Sequence, residues 1–399
     1  MNSPLLSLRL KHNPFEPSAS GVPVSGELWV PDRWRQPLEN FLDTMQHTDG
    51  AKAYAILGEY GSGKSYLLHW LEREALPSRR IQPFLFDNPG AQFYDLANSL
   101  LRKIGREEFA KSLWELLTPQ LPGFQPSLFG ASFQEWLRAI KKHRQQEEAI
   151  RVLADKIREK QIASDEEVRY KLGRLVVETY DRPYFQYKDF VAGRQTSLVA
   201  EGEEAPYFAA VLRALRLTGS ASAVGFLLDE FEEISLQKRL NKRQAHEYLA
   251  TMKRLIGLTE REPFWIIVAM TPLAAEVTEK LEPALWQRFV SQGERKFQIP
   301  PLDEAEARVL ILNRLKDARS SENDSTADEM FPFPEDVVDY LREDIKSSPR
   351  RLVKVCSIAI AQAAQTPPDQ IELPFGSDYL RRVQDELYPL DLPERGNEQ

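Results

Sequence analysis

The chain has 399 residues, 42% of them hydrophobic and 28% charged, and a formal net charge of −8. That composition belongs to a soluble globular protein, and its acidity excludes nucleic-acid binding through overall positive charge, leaving only a local basic patch as a route to DNA. One cysteine, Cys356, and five scattered histidines exclude a disulfide framework and a zinc site of recognisable spacing, and no apolar run is long enough to cross a bilayer, so a cytoplasmic setting without a membrane partner is expected.

Residues 11–32, rich in Pro, Gly and Ser, are expected to lie irregularly over the surface. Trp34, Leu38, Phe41 and Leu42 then recur at helical spacing over 33–45, and the apolar run AYAIL ends abruptly in glycine, as a buried strand entering a loop does. Leu67, Leu68 and Leu71 predict a helix over 65–75. Further strands are expected at 81–87, 224–229, 264–271 and, more weakly, 295–299. Charged, helix-forming sequence at about 105–205 reads as a helical insertion, and helices are expected at 304–315, 334–341 and 349–364. Alternating strands and helices imply a mostly parallel sheet covered on both faces. The expected fold class is α/β, a P-loop NTPase core with a parallel sheet, a helical insertion and a C-terminal all-α lid domain. The boundaries are 1–30 for an N-terminal strap, 31–300 for the core, 301–365 for the lid and 366–399 for a C-terminal extension.

The run Gly58, Glu59, Tyr60, Gly61, Ser62, Gly63, Lys64, Ser65 matches G-x-x-x-x-G-K-[ST] between a strand and a helix. In this pattern the amides of a glycine loop face phosphate oxygens, the lysine reaches the β and γ phosphates, and the hydroxyl takes Mg²⁺. A plain glycine turn is the competing reading, and the flanking strand and helix weigh against it. VGFLLDE is an apolar strand ending in two carboxylates, which makes Asp229 the candidate magnesium ligand and Glu230 the candidate base for an attacking water. A strand whose end merely meets solvent would also carry acidic residues.

In their order along the chain these motifs resemble those of the AAA+ ATPases, which implies ATP and Mg²⁺ as cofactors, hydrolysis of ATP, and a homo-oligomer. The resemblance implies that Thr271, ending FWIIVAMT, helps orient the lytic water, although the family more often has Asn there. PALWQRF resembles an arginine-finger segment, with Arg288 reaching a neighbouring subunit's γ-phosphate. SSPRRLVKV resembles the segment whose arginine touches nucleotide within the same subunit, with Arg350 favoured over Arg351. Asn13, Pro14 and Phe15 resemble the strap that touches adenine in relatives of transposition regulators and origin-recognition ATPases; a loop anchored by Phe15 is the alternative. Asn88, or Asp87 in its place, occupies the region where the family restrains its catalytic glutamate.

Lys238, Arg239, Lys242 and Arg243 form a basic cluster that could meet DNA nonspecifically in the channel of a ring, a solvated helix face being the alternative. The pattern ExxxFxxVLRxLR before FLLDE, followed by WIIVAMTP, is similar to ATP-binding proteins of bacterial defence systems, BREX-type ATPases among them, and of mobile elements. It implies an ATP-dependent assembly or licensing factor with a protein effector as partner. A signalling switch without nucleic acid and a protein remodeller are the competing readings.

Overall fold

Short apolar runs bounded by turns become strands, and segments with apolar residues at helical spacing become the helices between them. The computed structural model describes residues 5, 7–16, 28–47, 52–90, 93–117, 132–142, 144–178, 206–236, 240–290, 296–319, 329–367 and 370–387. In chain order, α1 (Asp32–His47) leads to β1 (Ala53–Leu57), the glycine-rich loop and α2 (Lys64–Trp70); β2 (Ile81–Phe86) follows. Next come α3 (Phe93–Ile104), α4 (Arg106–Leu117), α5 (Phe133–Lys142), α6 (Gln146–Glu159), α7 (Glu166–Val177) and α8 (Pro206–Thr218). The chain then returns to the sheet with β3 (Ala223–Leu228), α9 (Lys242–Leu258), β4 (Phe264–Met270), α10 (Pro272–Leu281), α11 (Pro283–Val290) and β5 (Lys296–Gln298). It closes with α12 (Glu304–Ala318), α13 (Pro349–Gln365) and α14 (Ser377–Leu387).

The sheet order is β2-β3-β4-β1-β5, with β2, β3, β4 and β1 parallel. Every residue of β1, β3 and β4 is buried, as strands covered on both faces require. Phe226 packs edge-on against Phe264 at 4.7 Å and Phe86 at 5.1 Å, so aromatic pairs tie neighbouring strands across one face. β2 contains Pro83, which has no N–H for a second neighbour, and the chain places it on the sheet edge, where that donor is not needed.

The chain divides into two compact units. Met1–Leu38, Gly58–Leu67 and Gln298–Gln399 form one, which holds the strap, the glycine-rich loop and the C-terminal helices. Glu39–Leu57 and Leu68–Phe297 form the other, which holds β1 to β4 and the insertion. In the insertion the charged helix faces carry their own ion pairs, Lys156 to Glu159, Arg158 to Asp155 and Lys171 to Glu167. The stretch YDRPYFQYKDF at 180–190 of the insertion lies outside the described residues. Among those residues no helix is long and apolar enough to cross a membrane.

Two elements differ from the sequence reading. The helix expected over 65–75 is α-helical only to Trp70 and continues as a π-helical turn, Leu71–Ala75. The helix expected over 334–341 is a single 3-10 turn, Val337–Tyr340, because so short an apolar stretch buries adjacent Val337 and Val338 without sustaining helical spacing. In the C-terminal extension, α14 packs against that turn: Gln384 accepts the Arg342 amide at 2.9 Å and donates to the Tyr340 carbonyl at 3.1 Å.

Candidate nucleotide site

The glycine-rich loop leaves the end of β1 through buried Gly58. Gly61 and Gly63 have φ of +81° and +102°, a conformation that side chains with a β-carbon rarely adopt, and consecutive turns of this kind aim successive amides at one anion. A β-carbon at Gly61 would come 2.9 Å from Arg350 Cβ, closer than packed carbons approach, and one at Gly63 would press on the Trp34 ring at 3.1 Å. The loop closes with Ser62 donating its amide to the Glu59 carbonyl at 3.1 Å. Buried Lys64 donates from Nζ to the carbonyls of Gly58 at 2.8 Å and Glu59 at 3.2 Å, so its charge is held over the loop. The Ser62 hydroxyl is buried and has no hydrogen-bond partner among the described residues. A polar, positively charged, backbone-lined turn with an orphaned hydroxyl suits a phosphate group.

Helix α13 in the same unit begins with Pro349 in its first turn, where the missing N–H costs nothing. The next amide, that of Arg350, donates to the Gly61 carbonyl at 3.3 Å. Arg351 points instead to Asp344, at 2.7 Å. Asn13 clamps the strap to α13, donating to the Ser357 carbonyl at 3.0 Å, and accepts the Phe15 amide at 3.1 Å. The Phe15 ring is fully buried edge-on against Phe333 at 5.9 Å, so within this unit the pair anchors the strap.

In the second unit, the C-terminal ends of β1, β4 and β3 lie side by side, Leu57 level with Met270 and Leu228 with Val268. From these ends the chain continues into Gly58, Thr271 and Asp229. Asp229 is buried, and its Oδ1 accepts the amide of Glu230 at 2.9 Å. Glu230 is exposed with φ +49°, which costs a non-glycine residue about 1–2 kcal/mol and is the kind of strain kept at functional positions. Thr271 is buried and caps α10, its Oγ1 accepting the Ala274 amide at 3.2 Å. Asn88 donates to Glu233 Oε2 at 2.7 Å and braces its own turn by accepting the Gly90 amide. The partner expected for Asn88 was Glu230; the one observed lies three residues on, at the start of the next helical turn.

The chain has features of known proteins only at the level of structure. No protein-family profile matches it, and no curated protein matches it in sequence. The ORC2 protein of Aeropyrum pernix, in its ADPNP–ADP complexes, aligns with a TM-score of 0.50 at 13% identity, over 96% of this chain and 74% of that one. The chain has the AAA+ fold. The ADP form of the same ORC2 protein aligns with a TM-score of 0.49 at 13% identity over 96% and 75% of the two chains. The ORC1 protein of that organism, in complex with DNA, gives 0.42 at 13% identity over 94% and 68%.

Within this AAA+ fold, Arg288 lies half-buried on α11 and pairs with Glu260 at 2.8 Å, so any reach towards another subunit requires release of that carboxylate. Of the basic cluster, Lys238 and Arg239 lie outside the described residues; Lys242 and Arg243 open α9, and Arg243 pairs with Glu247 at 2.9 Å. Among the described residues no cluster of three or more His, Cys, Asp or Glu could hold a metal by itself. Taken each in its own unit, Ser65 carries a hydroxyl and Asp229 a carboxylate, both hard oxygen donors by their chemistry. Sequence reasoning missed Trp34, which backs Gly63, and Arg314 on α12, whose guanidinium burial holds below the usual arginine range. Trp34 had been visible only as a core position of α1, and nothing in the spacing of α12 singles out Arg314.

Proposed function

We propose that the chain binds and hydrolyses Mg²⁺-ATP. The observation that carries this reading is the glycine-rich loop itself: two left-handed glycines crowded where a β-carbon would stand, a buried lysine held over the turn, and a buried hydroxyl without a partner among the described residues. In the first unit Gly58, Glu59, Tyr60, Gly61, Ser62 and Gly63 form the phosphate cradle, Lys64 binds the β and γ phosphates, Ser65 supplies a hydroxyl ligand, and Arg350 contacts nucleotide. Asn13 and Phe15 fix the strap near that body, and their role towards adenine is through its placement. In the second unit Asp229 is the carboxylate ligand, Glu230 accepts a proton from the attacking water and Thr271 orients that water. Bound Mg²⁺ would neutralise charge on the phosphate oxygens.

Arg288 is the cation that completes a neighbouring subunit's site, which makes the working form a homo-oligomer. Its support is its half-buried placement in the last turn of α11 and a partly solvent-accessible pairing with Glu260, of the sort worth about 0–1 kcal/mol. The resemblance of ExxxFxxVLRxLR and FLLDE to defence and mobile-element ATPases supports the role of an assembly or licensing factor that delivers a protein effector to DNA, with nonspecific contacts from Lys238, Arg239, Lys242 and Arg243. The test is phosphate release from ATP by the purified chain. Release should require Mg²⁺ and vanish in Lys64→Ala, and release undiminished in that variant would exclude the reading.

A further inference from the structure

The phosphate loop carries one side chain with no role so far. Tyr60 is 59% exposed, a large aromatic left in solvent, and the Lys64 ammonium lies 5.3 Å from its ring centroid. That separation is within the roughly 6 Å over which a ring face attracts a cation. Both carbonyls that accept from Lys64 belong to Gly58 and Glu59, the two residues preceding Tyr60, so ring and carbonyls come from one turn of the chain. The turn is locked by the Ser62 amide on the Glu59 carbonyl.

We propose that Tyr60 is a positioning residue for Lys64. Resting on the assignment of Lys64 as the phosphate-binding cation, the inference is that the ring face holds the ammonium over the loop and so raises affinity for nucleotide phosphates. Lysine has four rotatable bonds, and a π face lying beside the same ammonium that the Gly58 and Glu59 carbonyls accept from narrows the positions its head can take before phosphate arrives, which is how preorganisation adds affinity without a new ligand contact. The phenol hydroxyl has no part in this, and an aliphatic side chain of similar size lacks the ring's negative face.

The test uses the full chain labelled with ¹³C at lysine Cε, with the Lys64 resonance identified by its absence in Lys64→Arg. Ring current should shift that resonance upfield in the wild type and in Tyr60→Phe, and the shift should disappear in Tyr60→Leu. In calorimetric titrations Tyr60→Leu should bind Mg²⁺-ATP about two- to five-fold more weakly than wild type, the range expected from an exposed cation–π contact, and Tyr60→Phe should match wild type. A Lys64 resonance unmoved by Tyr60→Leu would overturn the contact. Unchanged affinity in Tyr60→Leu, or a loss shared by Tyr60→Phe, would overturn the positioning role. A wild-type chain that shows the ring-current shift but binds no ATP would instead overturn the assignment of Lys64, and the positioning role with it.

Discussion

The amide of Arg350 donates to the carbonyl of Gly61 at 3.3 Å, and the arginine's own carbons press on Gly61 where a side chain would begin. The first turn of α13 is thus fastened to the glycine loop by backbone rather than by charge. Gly61→Ala forces an alanine into left-handed backbone, at about 1–2 kcal/mol, and also pushes against Arg350 Cβ. ATP affinity should fall about ten-fold or more with the fold intact by circular dichroism. Affinity equal to wild type would show that the loop tolerates movement of α13.

The two neighbouring arginines should behave differently. Arg351 is engaged by Asp344 at 2.7 Å, whereas Arg350 lies against the loop and no carboxylate pairs with it among the described residues. Arg350→Ala should impair ATP binding or turnover while leaving stability nearly unchanged. Arg351→Ala should cost about 0–1 kcal/mol of stability, as partly exposed pairs do, and leave nucleotide affinity alone. The reverse pattern in binding and denaturation assays would exchange their roles.

Alkaline stability offers a test of packing independent of nucleotide. Burial raises the pKa of the Cys356 thiol, and raises that of the Tyr248 phenol, which donates to the Pro89 carbonyl at 2.7 Å. The folded chain therefore keeps these protons to higher pH than the unfolded chain. Their contribution is complete below the unfolded values, about 8.5 for a thiol and about 10 for a phenol, and is lost as pH rises through and beyond them. Each group can add a slope of up to about 1.4 kcal/mol per pH unit. Cys356→Ala should flatten the decline in urea-determined stability that begins near pH 8.5, and Tyr248→Phe the decline that begins near 10. Equal slopes in wild type and both variants would contradict the burial of these groups.

The core of this fold was legible because its strands are short, wholly apolar and bounded by turns, and because AYAIL runs straight into GEYGSGKS. Pro83 is consistent with an edge strand once the order is known, but spacing alone does not say which edge. The turn at Val337 was read as a helix since adjacent valines satisfy helical and non-helical patterns equally over so few residues. Asn88 and Glu233 are separated by the whole insertion, and nothing local tells which of Glu230 and Glu233 a distant amide will meet. The choice between Arg350 and Arg351 likewise depends on Asp344, a tertiary partner outside the motif.

Arg288 held by Glu260 at 2.8 Å makes a specific demand on the shared-site reading. Arg288→Ala should nearly abolish hydrolysis while leaving ATP affinity largely intact, because an arginine acting on the transferring phosphoryl group is worth roughly 10³ to 10⁵ in turnover. Mixed with Lys64→Ala, it should recover part of the activity, since one mixed interface joins an intact loop to an intact arginine. Co-assembled mixtures that remain inactive would contradict completion of the site between subunits.

The roles given to Lys64 and Glu230 separate in one measurement, Mg²⁺-ATP affinity and single-turnover hydrolysis recorded side by side for Lys64→Ala and Glu230→Gln. Lys64 holds phosphate and Glu230 acts on water, so Lys64→Ala should lose binding, while Glu230→Gln should bind as wild type does and fail to turn over. Hydrolysis at the wild-type rate by Glu230→Gln, or undiminished ATP binding by Lys64→Ala, would contradict the account.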